Sequence, residues 1–285
     1  MIGRHIIFVR TPIWDQLGNN AVKSSLGFWY CGNIYNQNDI AYGVAQNGSV
    51  ESDETAVLIP IMRSLMPAEG QFVFYDIGAN TGYYGILVRF ANKDAGVVHF
   101  FEPLPEHTKC IENSLYLNRL ENGAFIHQYG LSDKSGKEKF FVSGSGSTLH
   151  QGFLDNELPH SITIQLEDLD STIKKEHMAP AHLIKIDVEG HEYNVLKGAD
   201  GLIKEHCPAL FIEIIHRVAS KEYRNENYDK TFDLLADRGY KTFIVFSGKL
   251  MSYDKKTQQE GIHMFLFLHK DKHVTVIKNL NANNS

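Results

Sequence analysis

The chain has 285 residues, 43% of them hydrophobic, enough for a sizeable core in one large domain or two small ones. Its formal net charge of −6 and pI near 6.1, without a Lys/Arg run, argue against an extended nucleic-acid partner. Cys31, Cys110 and Cys207 are odd in number and lack metal-type spacing, which excludes a disulfide framework or zinc knuckle and fits core positions in a reducing compartment.

At the start, Met1 to Val9 has too short an apolar run for a signal peptide, and no later run approaches transmembrane length. The expectation is a soluble, cytoplasmic protein without stable membrane insertion. Residues 1 to about 60 hold short aromatic pieces separated by Gly, Asn and Asp: Gly27 to Tyr30, Asn33 to Tyr35 and Ile40 to Tyr42. They read as a small β appendage, whose aromatics could stack on a sugar or a ring but are better read, at Trp29 and Tyr30, as packing a hairpin onto the main domain. Ser52-Asp53-Glu54-Thr55 then gives a cap and acidic first turn for a helix over Ala56 to Met66.

Phe72 to Tyr75 is an apolar run suited to a strand covered on both faces, and it ends in Asp76. The glycine-spaced turn Gly78-Ala79-Asn80-Thr81-Gly82 follows, then helical spacing at Tyr83, Ile86, Leu87 and Phe90. A ligand here sits over a helix N-terminus. The spacing is neither G-x-G-x-x-G nor a P-loop, and an acid before the first glycine disfavours pyrophosphate. Asp76-x-Gly78-x-x-x-Gly82 has instead the form of the S-adenosylmethionine (SAM) loop of class I methyltransferases, whose cationic ligand tolerates a carboxylate.

A second strand, Gly96 to Phe101, ends at Glu102, and Pro103 and Pro105 open a helix through Leu117. Glu102 follows Gly82 by the distance at which a strand-loop-helix-strand unit places a carboxylate on a ribose. A third strand, Ala124 to Tyr129, leads to Leu131-Ser132-Asp133 beside the same crevice; these residues suit an adenine and equally well an ordinary turn. After a hairpin strand, Glu138 to Val142, the stretch Ser143 to Leu149 is either a lid or a connection. A strand over Ser161 to Leu166 and a short helix over Asp168 to Ile173 precede the second informative stretch.

There, Leu183 to Ile186 reads as a buried strand ending in Asp187-Val188-Glu189-Gly190-His191-Glu192. Asp187, Glu189 and His191 alternate and so project toward one crevice. Pro208 to His216 repeats the theme, with Glu213 inside an apolar run and His216 at its end. A helix over Asn227 to Arg238 and strands over Tyr240 to Phe246 and Ile262 to Leu268 complete the pattern, and Asn279 to Ser285 has nothing to bury and reads as a frayed tail.

With these pieces placed, the chain resembles the FkbM family of class I SAM-dependent methyltransferases. The resemblance runs through Asp76 to Gly82, Phe101-Glu102-Pro103, Leu131-Ser132-Asp133, Lys185 to Gly190 with Val195 to Gly198, and Ile212-Glu213-Ile214, with weaker signals at Asp39-Ile40 and Gly48 to Glu51. It implies an α/β fold: a Rossmann-like, doubly wound, seven-stranded sheet with helices on both faces and SAM at the strands' carboxyl ends. The domain expectation is an appendage and leading helix over 1–69 on the substrate side, a methyltransferase core over 70–273 and a tail over 274–285.

By the same resemblance the donor site comprises Asp76, Gly78, Asn80, Thr81, Gly82, Glu102, Ser132 and Asp187, and the reaction is O-methylation of a sugar, glycan or glycolipid hydroxyl. An alcohol needs a base, and His191 or His216 has a suitable pKa, with Asp187, Glu189 or Glu213 to orient it. The alternative at Asp187, Glu189, His191 and Glu213 is a divalent cation that acidifies the hydroxyl directly. Other acceptors, a polyketide-like molecule, protein or RNA, and a SAM-binding interaction subunit are the competing functions; the oligomeric state is not legible.

Overall fold

A computed structural model describes residues 6–7, 20–143, 146–150, 160–216, 224–246, 249–253 and 263–283. The readings of most of Met1 to Val9, of Gly144-Ser145, of Ile262 and of the last two residues fall outside these.

The N-terminal segment pairs β1 (Ile6–Ile7), β2 (Asn20–Lys23) and β3 (Trp29–Gly32) as an antiparallel sheet. Tyr30 is fully buried against Tyr83, and Asn118 bonds both backbone groups of Trp29. Ile40 to Tyr42, expected in a β piece, begins helix α1 (Ile40–Asn47), because Asp39 caps it by accepting from the Ala41 N–H at 2.8 Å. Helix α2 (Ser52–Ser64) starts a turn before Ala56, its expected start, so Ser52 to Thr55 lie inside it and Glu51 holds the cap position at φ 43°.

The core then unfolds in strand-helix rhythm: β4 (Phe72–Ile77), α3 (Tyr83–Asn92), β5 (Gly96–Phe101), α4 (Pro105–Asn118) and β6 (Ala124–His127). A side sheet follows, β7 (Gly130–Leu131), β8 (Gly136–Phe141) and β9 (Ser161–Glu167), with β9 in the middle. The second half comprises α5 (Leu169–Glu176), β10 (Leu183–Ile186), α6 (Glu192–Gly198), α7 (Asp200–His206), β11 (Ala209–Glu213), α8 (Tyr228–Asp237), β12 (Tyr240–Phe246), β13 (Lys249–Ser252), β14 (Met264–His269) and α9 (Val274–Asn283).

The main sheet runs β13-β12-β14-β11-β10-β4-β5-β6, eight strands rather than the expected seven. Lys249–Ser252, read as part of a polar loop, adds an antiparallel edge strand to β12. Strands β11, β10, β4, β5 and β6 are parallel, and every residue of β4 and β10 is buried, as a strand covered on both faces requires. One core packs α2, α3 and α4 on one face through Leu58, Ile86 and Ile111; another packs α5 to α8 on the opposite face through Leu169, Leu196, Leu202 and Phe232. Part of the expected tail is a helix: α9 buries Val276 and Ile277 in the first core and packs Leu280 against it.

From β4 the chain winds outward through β5 and β6, then returns to β10 on β4's other side. That reversal opens a crevice at the carboxyl ends of β4 and β10, where loops from neighbouring strands diverge.

Gly85 shows how closely α3 lies on the sheet: a Cβ there would meet the Phe100 ring at 2.1 Å. Helix propensity alone predicts that Gly85→Ala stabilises by about 1 kcal/mol. The packing predicts the opposite, a loss of about 1–3 kcal/mol, read as a lower urea midpoint at unchanged m-value.

Candidate active site

The crevice is a cavity of about 490 Å³. Its floor is set by the turn after β4. Gly78 has φ 70°, and a Cβ on it would fall 1.8 Å from the Asp187 carbonyl oxygen, so the turns after β4 and β10 meet only because this residue lacks a side chain. Asn80 also takes a left-handed conformation, φ 52°, which turns its N–H to the Glu102 carboxylate at 2.8 Å.

Glu102, ending β5, is 5% exposed and accepts a second backbone N–H, from Leu104 at 3.0 Å. His107 Nδ1 lies 3.2 Å from the same carboxylate. Burial works against a charge on that imidazole, but the hydrogen bond and charge of Glu102 outweigh it, and its pKa is raised. Phe101, Leu131, Phe140, Ile164 and Leu166 make the wall beside Glu102 apolar.

The other end is acidic. Lys185, 3% exposed, points its ammonium at Asp187 Oδ2, 2.9 Å away, and lies 4.8 Å above the Tyr84 ring. Burial opposes that charge, yet Asp187, Asp76 and Glu51 together hold the lysine pKa up. Asp187, despite burial, is held below the ordinary carboxylate range by Lys185. Glu213 hydrogen-bonds Asp187 and is raised well above its usual value, by the Asp187 charge first and burial second. Asp187, Glu189 and Glu213 can bring one oxygen each within 4.8 Å of one another, a spacing a divalent cation can use.

The expected donor residues divide. Gly78, Asn80, Glu102 and Asp187 line the cavity, whereas Asp76, Thr81, Gly82 and Ser132 stand behind its wall. Asp76 accepts from the Gly85 N–H at 2.7 Å in the first turn of α3, and burial pushes its carboxyl up to about 6. The Thr81 hydroxyl bonds the Tyr30 hydroxyl, and Gly82 packs on Ile111. Ser132 Oγ meets His191 Nε2 at 2.9 Å.

Of the expected catalytic residues, Asp187, Glu189, His191 and Glu213 line the cavity together. His191, however, is pushed down to about 4 by burial and by His150, which leaves it a weak base. His216 does not join them: its ring packs on Tyr228, centroids 4.5 Å apart. Residues 147–149 close one side, Thr148 Oγ1 donating to the Glu189 carbonyl at 2.8 Å while Ser147 and Leu149 line the cavity.

Lys185 and Glu51 are among the lining residues to which the sequence assigns no role in the site. Lys185 reads as part of a strand and of the family motif, although a lysine inside a run of Leu and Ile is itself a signal of buried charge. Glu51 accepts a hydrogen bond from the Tyr84 hydroxyl, and burial raises its carboxyl pKa. Its signal was an acid immediately before a helix-capping run, which local reading spends on the helix.

Among the described residues no helix is long and apolar enough to cross a membrane. The methyltransferase FkbM domain family matches residues 76–242. The hexuronic acid methyltransferase AglP of Haloferax volcanii is 30% identical over 135 residues, covering 47% of this chain and 52% of that protein. The chain thus spans about half the length of that curated relative. A methyltransferase FkbM structure from Methylobacillus flagellatus KT aligns at TM-score 0.49 and 20% identity, over 75% of this chain and 48% of that one. The O-methyltransferase TomG of Streptomyces achromogenes aligns at TM-score 0.48 and 12% identity, over 78% of this chain and 81% of its own. With the family match extending from the turn after β4 to β12, more than half of the sequence, the chain belongs to the FkbM family of methyltransferases.

Proposed function

We propose that this chain is a SAM-dependent O-methyltransferase whose acceptor is a hydroxyl of a sugar, glycan or glycolipid. One observation carries the reading: the Gly78–Asn80 turn and Glu102 open onto the same cavity as the Asp187–Glu213 carboxyl pair. Donor binding and proton removal therefore share one enclosed space. The archaeal relative, named for hexuronic acid, supports a sugar acceptor.

The residues present fit SAM. A cavity of about 490 Å³ is in the size range of small-ligand sites. The N-terminus of α3 above the Gly78–Asn80 turn suits the methionyl carboxylate, Glu102 the ribose hydroxyls, and the wall around Phe101 and Leu131 the adenine. The acidic end suits a cation. When bound, SAM supplies an electrophilic methyl group on a sulfonium, to be met in line by a nucleophile in a dry site.

The chain's own residues then have to hold the acceptor hydroxyl and take its proton. With His191 depressed and His216 outside the cavity, we assign the proton to Glu213, whose raised pKa makes it the stronger base of the carboxyl pair. Asp187 keeps that pKa high and is itself held by Lys185. His191, bonded to Ser132, becomes a positioning residue for the Glu189 turn. Lys185 brings a positive charge against Asp187, one member of the carboxylate trio, so in this reading the proton passes to a carboxyl group and no metal ion is invoked.

Glu102→Ala is expected to weaken SAM binding about 10- to 100-fold in calorimetry, while unchanged affinity contradicts the ribose assignment. The Glu213 base form fills only as pH rises through its raised value, so kcat should climb with pH over that range. Asp187→Asn removes the largest cause of the shift and should move that ascending limb to lower pH. Glu213→Gln should lower kcat about 100-fold or more at near-normal SAM affinity. EDTA should leave turnover intact; loss restored by Mg²⁺ would transfer the role to a metal. Incubated with methyl-labelled SAM, glycan or lipid fractions should take label, and label confined to protein or RNA contradicts the reading.

A further inference from the structure

The cavity carries a charge pattern that the donor site alone does not require. Asp39, Glu51, Glu102, Asp187, Glu189 and Glu213 line it, against Lys185 and no arginine among the described lining residues; of the two lining histidines, His107 is engaged by Glu102 at the other end and His191 is depressed by burial. The Asp39 carboxylate accepts from the Asn33 and Ala41 N–H groups, and that of Glu102 from Asn80 and Leu104. The other four gather at one end: Asp187 and Glu189 from the turn after β10, Glu213 from the last position of β11, and Glu51 from the N-terminal segment. Glu213 feels the charges of Asp187, Glu189 and Glu51 together.

Lys185 does not balance an incoming anion. The residue is 3% exposed and its ammonium is bonded to Asp187 at 2.9 Å and laid over Tyr84, so it is committed to charges already present. The upward shift of Glu213, caused first by the charge of Asp187 and only then by burial, records the same surplus, and a charge that acts on Glu213 in this way also repels an incoming carboxylate. Ionised carboxylates are acceptors only, and a ring bearing neighbouring hydroxyls offers the matching donors.

Glu51 reaches this place through a specific backbone choice. It precedes α2 at φ 43° and caps no N–H of that helix with its side chain, which instead accepts a hydrogen bond from the Tyr84 hydroxyl on the cavity wall. A residue held in an uncommon conformation, with its own helix left uncapped, is placed for the cavity.

Building on the methyl-transfer reading above, we propose that the acceptor is a glycosyl compound without negative charge, and that Glu51 and Glu189 determine this by bonding its hydroxyls at the acidic end. A hexuronic acid, with its carboxylate brought against four carboxyl groups, is disfavoured by about tenfold or more in kcat/KM.

The test uses the full chain with methyl-labelled SAM and glycans and glycolipids of the source cells, split by anion exchange into unretained and acidic pools. Label is expected in the unretained pool, as a methyl ether stable to mild alkali. Glu51→Gln and Glu189→Gln should each raise the acceptor KM about fivefold or more with a smaller effect on kcat. Both should keep SAM affinity within about twofold, which also shows that the variants fold. Label chiefly in the acidic pool, alkali-labile label, or an unchanged acceptor KM in both variants overturns this proposal and leaves glycan methylation standing. Label in neither pool overturns both.

Discussion

Burying the ammonium of Lys185 is the constraint around which this end of the molecule is built. A lysine on the central strand β10, covered on both faces, would cost several kcal/mol as an uncompensated charge. Its compensation comes from different parts of the chain: Asp187 from the next turn, Asp76 from β4, Glu51 from before α2, and the Tyr84 ring from α3. Each of those groups is then fixed by the need to stay near the charge. Asp187 in turn raises Glu213, so one buried cation orders the whole acidic end.

The opposite end obeys different physics. Around Glu102 the cavity wall is Phe101, Leu131, Phe140, Ile164 and Leu166, contributed largely by the side sheet that packs beside β5. Glu102 is held there by two backbone N–H groups and the His107 imidazole, which leaves it an acceptor on a rigid mount. A ligand with an apolar ring, a polyol and a cationic group in sequence matches this gradient along one axis. The reversal of strand order between β4 and β10 is what places both ends in a single crevice.

How much of this was readable beforehand follows from what each residue answers to. Gly78 and Glu102 answer to local rules, a turn that no side chain fits and an acid directly after an apolar strand, and their placement is legible from spacing. His191 and His216 answer to tertiary contacts. Sequence puts both at strand ends, but packing turns one toward Ser132 and lays the other on Tyr228, and burial takes the basicity from the first. Glu51 was hidden by a stronger local signal, since Ser52-Asp53-Glu54-Thr55 reads as a cap and absorbs the acid beside it. Strand β13 and helix α9 were missed for a plainer reason: four residues of mixed polarity, and a helix with two fully buried apolar side chains, carry too little periodicity until the sheet edge and the first core exist to receive them.

The central claim is that one cavity at the β4–β10 switch binds the donor and removes the acceptor's proton. A crystal structure with S-adenosylhomocysteine, the donor's demethylated product, tests it most directly. The account predicts ribose hydroxyls on Glu102, the adenine against Leu131, and the thioether sulfur facing the Asp187–Glu213 pair. A nucleoside bound elsewhere, or a sulfur turned away from those carboxyls, would contradict it.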